Sequence, residues 1–152
     1  MKNLYFLILV FTLFSNCSHK ENIKSNLKKC IDENFTYFDN NEKPVDYSIN
    51  NRDKILTCDE EKLINKTIEN IIKENFSDTS KNPKQYGKQC IVRINEYGEK
   101  EVWVNCVFKE DFSISERKKS LIEVEDGGEY FFNFKINISN KKYYKLIING
   151  LA

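Results

Sequence analysis

The sequence predicts an α+β domain: an antiparallel β-meander of about five strands packed on one main helix, with a helical or irregular N-terminal segment in front. Three observations predict it. Apolar residues between about Cys58 and Phe76 recur at steps of three and four, which makes one stripe on a helix. From Gln89 onward the apolar period changes to two, the period of a strand. Turn points at Gly98, Gly127 and Lys141 let this second half fold back on itself so that apolar residues meet apolar residues.

In chain order, the first element is an address rather than part of the fold. Lys2 precedes an apolar run from Leu4 to Phe14 that only Thr12 interrupts. The run is too short to span a bilayer, which needs about 20 apolar residues, and it matches the core of a secretory signal. Cys17 follows directly after Phe14-Ser15-Asn16. This arrangement resembles the lipobox of bacterial lipoproteins, with Phe14 where Leu is usual and Asn16 where a small residue is usual. The resemblance implies cleavage after residue 16, lipidation of Cys17 and a lipidated tether over residues 17–26. Ser18 after the cysteine is similar to the outer-membrane sorting pattern, which leaves a periplasmic or a cell-surface orientation open. Residues 27–152 then form a single α+β domain.

Residues 26–38 place Leu27, Cys30, Ile31, Asn34, Phe35 and Phe38 at helical spacing and predict a first helix. Residues 39–56 are rich in Asn and Asp, contain Pro44, and read as mostly loop with room for a helical turn. The main helix follows. Thr57 and Glu60 fit a capping box, and Leu63, Ile64, Thr67, Ile68, Ile71, Ile72 and Phe76 form its apolar stripe. The strands are expected at roughly 89–95, 101–108, 119–125, 129–139 and 143–149, joined by a long connection at 109–118. Folding about Gly98 sets Ile94 opposite Val102, Val92 opposite Val104 and Cys90 opposite Cys106. Folding about Gly127 sets Ile122 opposite Phe132, and folding about Lys141 sets Phe134 opposite Ile148.

The chain has five cysteines. Lipidating Cys17 leaves an even set for the oxidising compartment outside the cytoplasm. The hairpin register predicts a disulfide between Cys90 and Cys106, which leaves Cys30 to pair with Cys58. No C-x-x-C occurs, and the spacings match no zinc motif.

Composition limits the function. Basic and acidic residues number 24 and 23, and removing the signal takes away only Lys2, so there is no electrostatic basis for binding nucleic acid. The single histidine, His19, lies in the tether and cannot serve a nucleophile in the folded domain. No catalytic residue, metal or cofactor is assigned. The sheet face turned away from the helix is expected to carry Trp103 opposite Arg93, with Phe131, Tyr143, Ile91 and Ile147 on the same side. Either the front segment, 26–56, covers this patch, or the patch binds a partner. The basic run Lys109, Arg117, Lys118 and Lys119 reads as a solvated loop. Glu123, Glu125, Asp126 and Glu129 show no calcium or glycosidase spacing.

The stretches EVWVNC, EDGGEYFFNFKINIS and KYYKLIINGLA resemble small lipoproteins of Bacteroidota, a likeness that implies no activity. The order of helix then meander is similar to cystatin-like folds, but the inhibitory Q-x-V-x-G loop is absent. The expected function is a membrane-anchored cell-envelope lipoprotein that binds an envelope protein or glycan and is not an enzyme. The alternatives are a tethered inhibitor acting through loop 109–118 or 139–143, and a small envelope enzyme using carboxylates.

Overall fold

The main helix, α1 (Cys58–Asn75), forms where the capping box places it. Thr57 Oγ1 accepts from Glu60 N at 3.4 Å, and Thr57 N donates to Glu60 Oε2 at 2.7 Å. Asp59, Glu60 and Glu61 occupy the first turn, where the helix dipole favours acids. The isoleucines of the apolar stripe are fully buried: Ile64, Ile68, Ile71 and Ile72 are at most 1% exposed. Each such side chain contributes roughly 1.5–3 kcal/mol relative to an exposed one. The computed structural model describes residues 32–45 and 53–150, all within one compact unit. The expected signal, the tether with Cys17, and Cys30 lie outside the described residues.

Against α1 lies a five-stranded sheet in the order β1 (Phe35–Phe38), β2 (Tyr86–Ile94), β3 (Lys100–Phe108), β4 (Phe131–Asn137) and β5 (Lys142–Ile148). The last four strands form the antiparallel meander, and β1 pairs with β2 in parallel, which makes the sheet mixed rather than all antiparallel. The expected helix over 26–38 is therefore corrected at its described end. Phe35-Thr36-Tyr37-Phe38 is buried at every residue, so its apolar spacing carries no periodic signal, and its aromatic and β-branched side chains suit a strand.

Alternate residues of β2, β3 and β4 face α1: Cys90 and Val92, then Val102, Val104 and Cys106, then Phe132, Phe134 and Ile136. Side-chain hydrogen bonds tie the helix across the full width of the sheet. Tyr37 on β1 donates to Glu61 at 2.7 Å, Lys100 on β3 reaches Glu60 at 2.8 Å, and Tyr143 on β5 donates to Glu74 at 2.9 Å. Phe76, just past the helix, packs edge-on against Phe132 at 5.2 Å between ring centroids.

The β2–β3 hairpin keeps the expected faces but not the expected register. Ile94 pairs with Lys100, Val92 with Val102 and Cys90 with Val104. The turn is tighter than a fold centred on Gly98, because Asn95 closes it: its Oδ1 accepts from Tyr97 N at 3.0 Å and Glu99 N at 2.9 Å. A shift of two residues preserves faces because side chains alternate with period two. It nevertheless places Cys106 opposite Lys88, so the expected Cys90–Cys106 disulfide is not formed. Both cysteines are free and buried, and burial pushes both thiols up. Cys58, at the start of α1, is not a free thiol, and the Cys30 half of its expected pairing lies outside the described residues.

The expected strand over 119–125 does not form. Ser113 and Glu116 make a second capping box that starts a short helix, α2 (Ile114–Lys119), and the chain beyond it crosses the sheet instead of joining it. The hairpin expected about Gly127 is replaced by a turn over Gly128–Tyr130, with Gly127 in the left-handed region at φ 105°. In the β4–β5 hairpin, Ile136 pairs with Tyr143 and Phe132 with Ile148, with a register shift between Asn133 and Lys135. Lys145, on the bulged strand, has φ 51°.

Candidate functional site

The sheet face opposite α1 is built differently. Its middle row, Ile91, Trp103, Lys135 and Tyr144, runs across β2 to β5. The row beside it, Gln89, Asn105 and Asn133, is amide throughout, and Gln89 and Asn105 are both buried. Burial of two carboxamides costs free energy unless their groups are hydrogen-bonded. The crossing segment after α2 satisfies them. Gln89 Nε2 donates to the carbonyls of Arg117 and Ser120 at 2.8 and 2.7 Å, while its Oε1 accepts from Ile122 N at 2.8 Å. Asn105 Nδ2 donates to the Ile122 carbonyl at 2.8 Å and to Gln89 Oε1 at 3.1 Å. The two amides act as a clamp that holds backbone 117–122 over half of this face.

The other half stays open as a groove of about 250 Å³. Its floor is Ile91 and the half-buried Trp103, and Leu121 and Glu123 of the clamped segment form one wall. Arg93, Glu101, Lys135 and Glu42 complete the rim. Glu42 projects from the turn after β1, where its φ of 60° bends the chain. Trp103 Nε1 donates to Asn133 Oδ1 at 3.3 Å, and Arg93 Nε donates to Asn40 Oδ1 at 2.7 Å. Glu101 accepts from the Tyr144 hydroxyl. Burial, then the carboxylate, push the Tyr144 phenol up to about 12. Glu42, Glu123 and Lys135 make no ion pair among the described residues.

The expected patch is therefore only partly brought together. Trp103 and Arg93 share the groove, but Trp103 stands opposite Ile91 and Lys135, and Arg93 opposite Glu101. Phe131 lies on the same face but is 9% exposed, packed edge-on against Phe112 of the crossing connection at 6.1 Å between centroids. Tyr143 is on the helix side, against Phe134 and Glu74, because the β5 bulge reverses the alternation. Among the described residues, the cover over Gln89 and Asn105 is the connection after β3, and the front segment reaches this face through Asn40 and Glu42. The sequence carried two signals of this: the box Ser113-x-x-Glu116, and the amides Gln89 and Asn105 at strand positions on the face turned away from α1. Arg117, expected in a solvated loop, is 2% exposed. It lies so close over Gly87 that a Cβ there would sit 2.2 Å from Arg117 Nη1, so a side chain at position 87 would push the guanidinium aside. Burial lowers the Arg117 pKa, and Asp32 and Glu33 oppose that shift.

A second polar cluster lies in the main core. Glu61 on α1 is 7% exposed, and burial pushes its carboxyl up to about 7 despite the hydrogen bond from Tyr37. Lys88, 1% exposed, donates to the Pro83 carbonyl at 2.6 Å and sits 5.3 Å from the Phe35 ring centre. Burial lowers its pKa. A third, at the loop after α1, is a self-satisfied ion cluster: Lys81 bridges Asp78 at 2.9 Å and Glu129 at 3.5 Å, and Ser80 and Lys81 hold Asp78 down to about 2. Among the described residues, no group of three or more His, Cys, Asp or Glu is placed to hold a metal ion, and no helix is long and apolar enough to cross a membrane.

Fold and groove together define a small α+β domain with a tryptophan-floored, mixed-charge groove on the open side of its sheet. No protein-family model, curated protein or solved structure matches the chain.

Proposed function

We propose that this protein is a lipid-anchored, non-enzymatic binding module of the cell envelope, and that the groove over Trp103 is where it binds. The anchor rests on the apolar run Leu4 to Phe14 followed by Cys17. An outer-membrane position facing the periplasm or the surface follows from Ser18 and rests on that same resemblance. The single observation that carries the binding role is the groove itself: a half-buried indole on the sheet, beside Glu42, Glu123 and Lys135, which make no ion pair among the described residues.

Two measurements test this reading. Cys17→Ala should move the protein from the detergent phase to the aqueous phase; retention in the membrane counts against the lipid anchor. A photo-crosslinking residue at Lys135 should capture envelope material, while the same residue at Lys62, on the exposed side of α1, should not. Equal capture at both positions would remove the case for the groove.

A further inference from the structure

We infer that the groove receives one uncharged saccharide ring, seated with a C–H face on Trp103. This rests on the reading of the groove as a binding site and names its ligand class. The floor comes first. The indole N–H of Trp103 is engaged by Asn133, so the indole lines the groove with its polar atom already satisfied. A π-face is electron-rich and attracts polarised C–H groups or a cation.

The rim decides between these. Arg93 and Lys135 flank the same floor as Glu42, Glu101 and Glu123. A cation stacked on Trp103 meets Lys135 and Arg93, and an anion meets the three carboxylates, so a charge of either sign is opposed by part of the rim. A hydroxyl group uses both kinds of neighbour, because it donates to a carboxylate and accepts from an ammonium or guanidinium. A ring bearing several hydroxyls around one C–H face is the ligand this pattern satisfies. The volume agrees: about 250 Å³ lies just under the ~300 Å³ at which pockets for larger organic ligands begin. It suits one ring with the rest of an oligomer in solvent. The site is also built in advance. Its floor is strand, and the wall carrying Leu121 and Glu123 hangs on the Gln89 and Asn105 clamp, so little ordering entropy opposes binding.

Trp103 is the only tryptophan, so its emission reports on this groove alone. The full chain, solubilised in detergent, is titrated with three neutral disaccharides (cellobiose, maltose and N,N′-diacetylchitobiose), with cationic chitobiose and with anionic digalacturonic acid. At least one neutral disaccharide should shift the emission saturably and bind more tightly than either charged one. Glu123→Ala and Lys135→Ala should each weaken it by about tenfold, as expected for loss of a hydrogen bond to a charged group. Lys62→Ala should leave it unchanged. Tighter binding of a charged disaccharide overturns the inference, as does a flat titration with all three neutral ones. If the neutral sugars fail while envelope capture at position 135 persists, the ligand class is wrong and the binding site remains. If capture fails as well, the binding role falls with it.

Discussion

The two faces of the sheet are held by opposite chemistry. Toward α1 the strands present Val102, Val104, Phe132, Phe134 and Ile136, each at most 1% exposed, and the helix answers with isoleucines. Contact there is broad and non-directional, so it sets which side of a strand faces in without fixing any one pair. Away from α1, the cover is a length of backbone hung from two side-chain amides, and contact is narrow and directional. An apolar interface spreads its cost over many residues. A clamp concentrates it in two, and leaves the sheet beside it open.

The largest expected effect lies on the apolar side. Phe132→Ala removes a ring that Phe76, Tyr86 and Phe134 all touch, and should cost about 3–5 kcal/mol in denaturant unfolding, with loss of the whole fold. A cost below about 1 kcal/mol would mean that the two layers are not coupled through this ring.

Glu61 is the exception within that face, and it makes stability fall as pH rises. Its carboxyl titrates at about 7 in the fold against an ordinary value of 4.5, so the folded chain binds this proton more tightly than the unfolded one. The contribution is fully present below about pH 4.5 and is lost as pH rises through about 7, a difference of roughly 3 kcal/mol. Glu61→Gln keeps an acceptor for Tyr37 and removes the ionisation. Unfolding curves between pH 5 and 8.5 should be flatter for the variant, which should be the more stable protein at the alkaline end. Parallel curves for the two proteins would show that Glu61 does not titrate in this range.

The smallest effect is on the clamped side and should be local. Gln89→Ala leaves the Arg117 and Ser120 carbonyls and the Ile122 amide without their partner, at a cost of roughly 1–3 kcal/mol. The connection 109–126 should become the first site of limited proteolysis, and Trp103 emission should shift toward that of a wetter indole, while unfolding stays a single transition. Cleavage that instead begins in β2 or β3 would mean the amides hold the sheet and not its cover.

The same contrast explains what the sequence disclosed. The helix with its Thr57–Glu60 box, the change of period at Gln89 and the faces of β2, β3 and β4 were all legible, because burying an apolar face repeats one residue class at a fixed period. Register was not. Moving the hairpin by two residues costs no change of face, and the choice fell to the Asn95 side chain closing the turn. β1 was read as helix because burial on both sides erases its period, and Tyr143 was assigned to the wrong face because one bulge at Lys145 reverses the alternation. Of the groove, Trp103 and Arg93 were foreseen. Leu121 and Glu123 enter on a segment placed by hydrogen bonds between residues 17 to 33 apart that no local pattern reports, and Glu42 enters from the turn closed on Asp39.

The chain enters its described fold at β1, a four-residue strand at the margin of the sheet, sewn to β2 by contacts such as Lys88 N to the Asn34 carbonyl at 2.7 Å. A pull applied at the start of β1 along its axis would act on this seam. A pull in that direction loads the β1–β2 hydrogen bonds together instead of opening them one by one, and Tyr37 on Glu61 adds a sideways rivet. The margin of the sheet is thus the hem on which such a pull would fall.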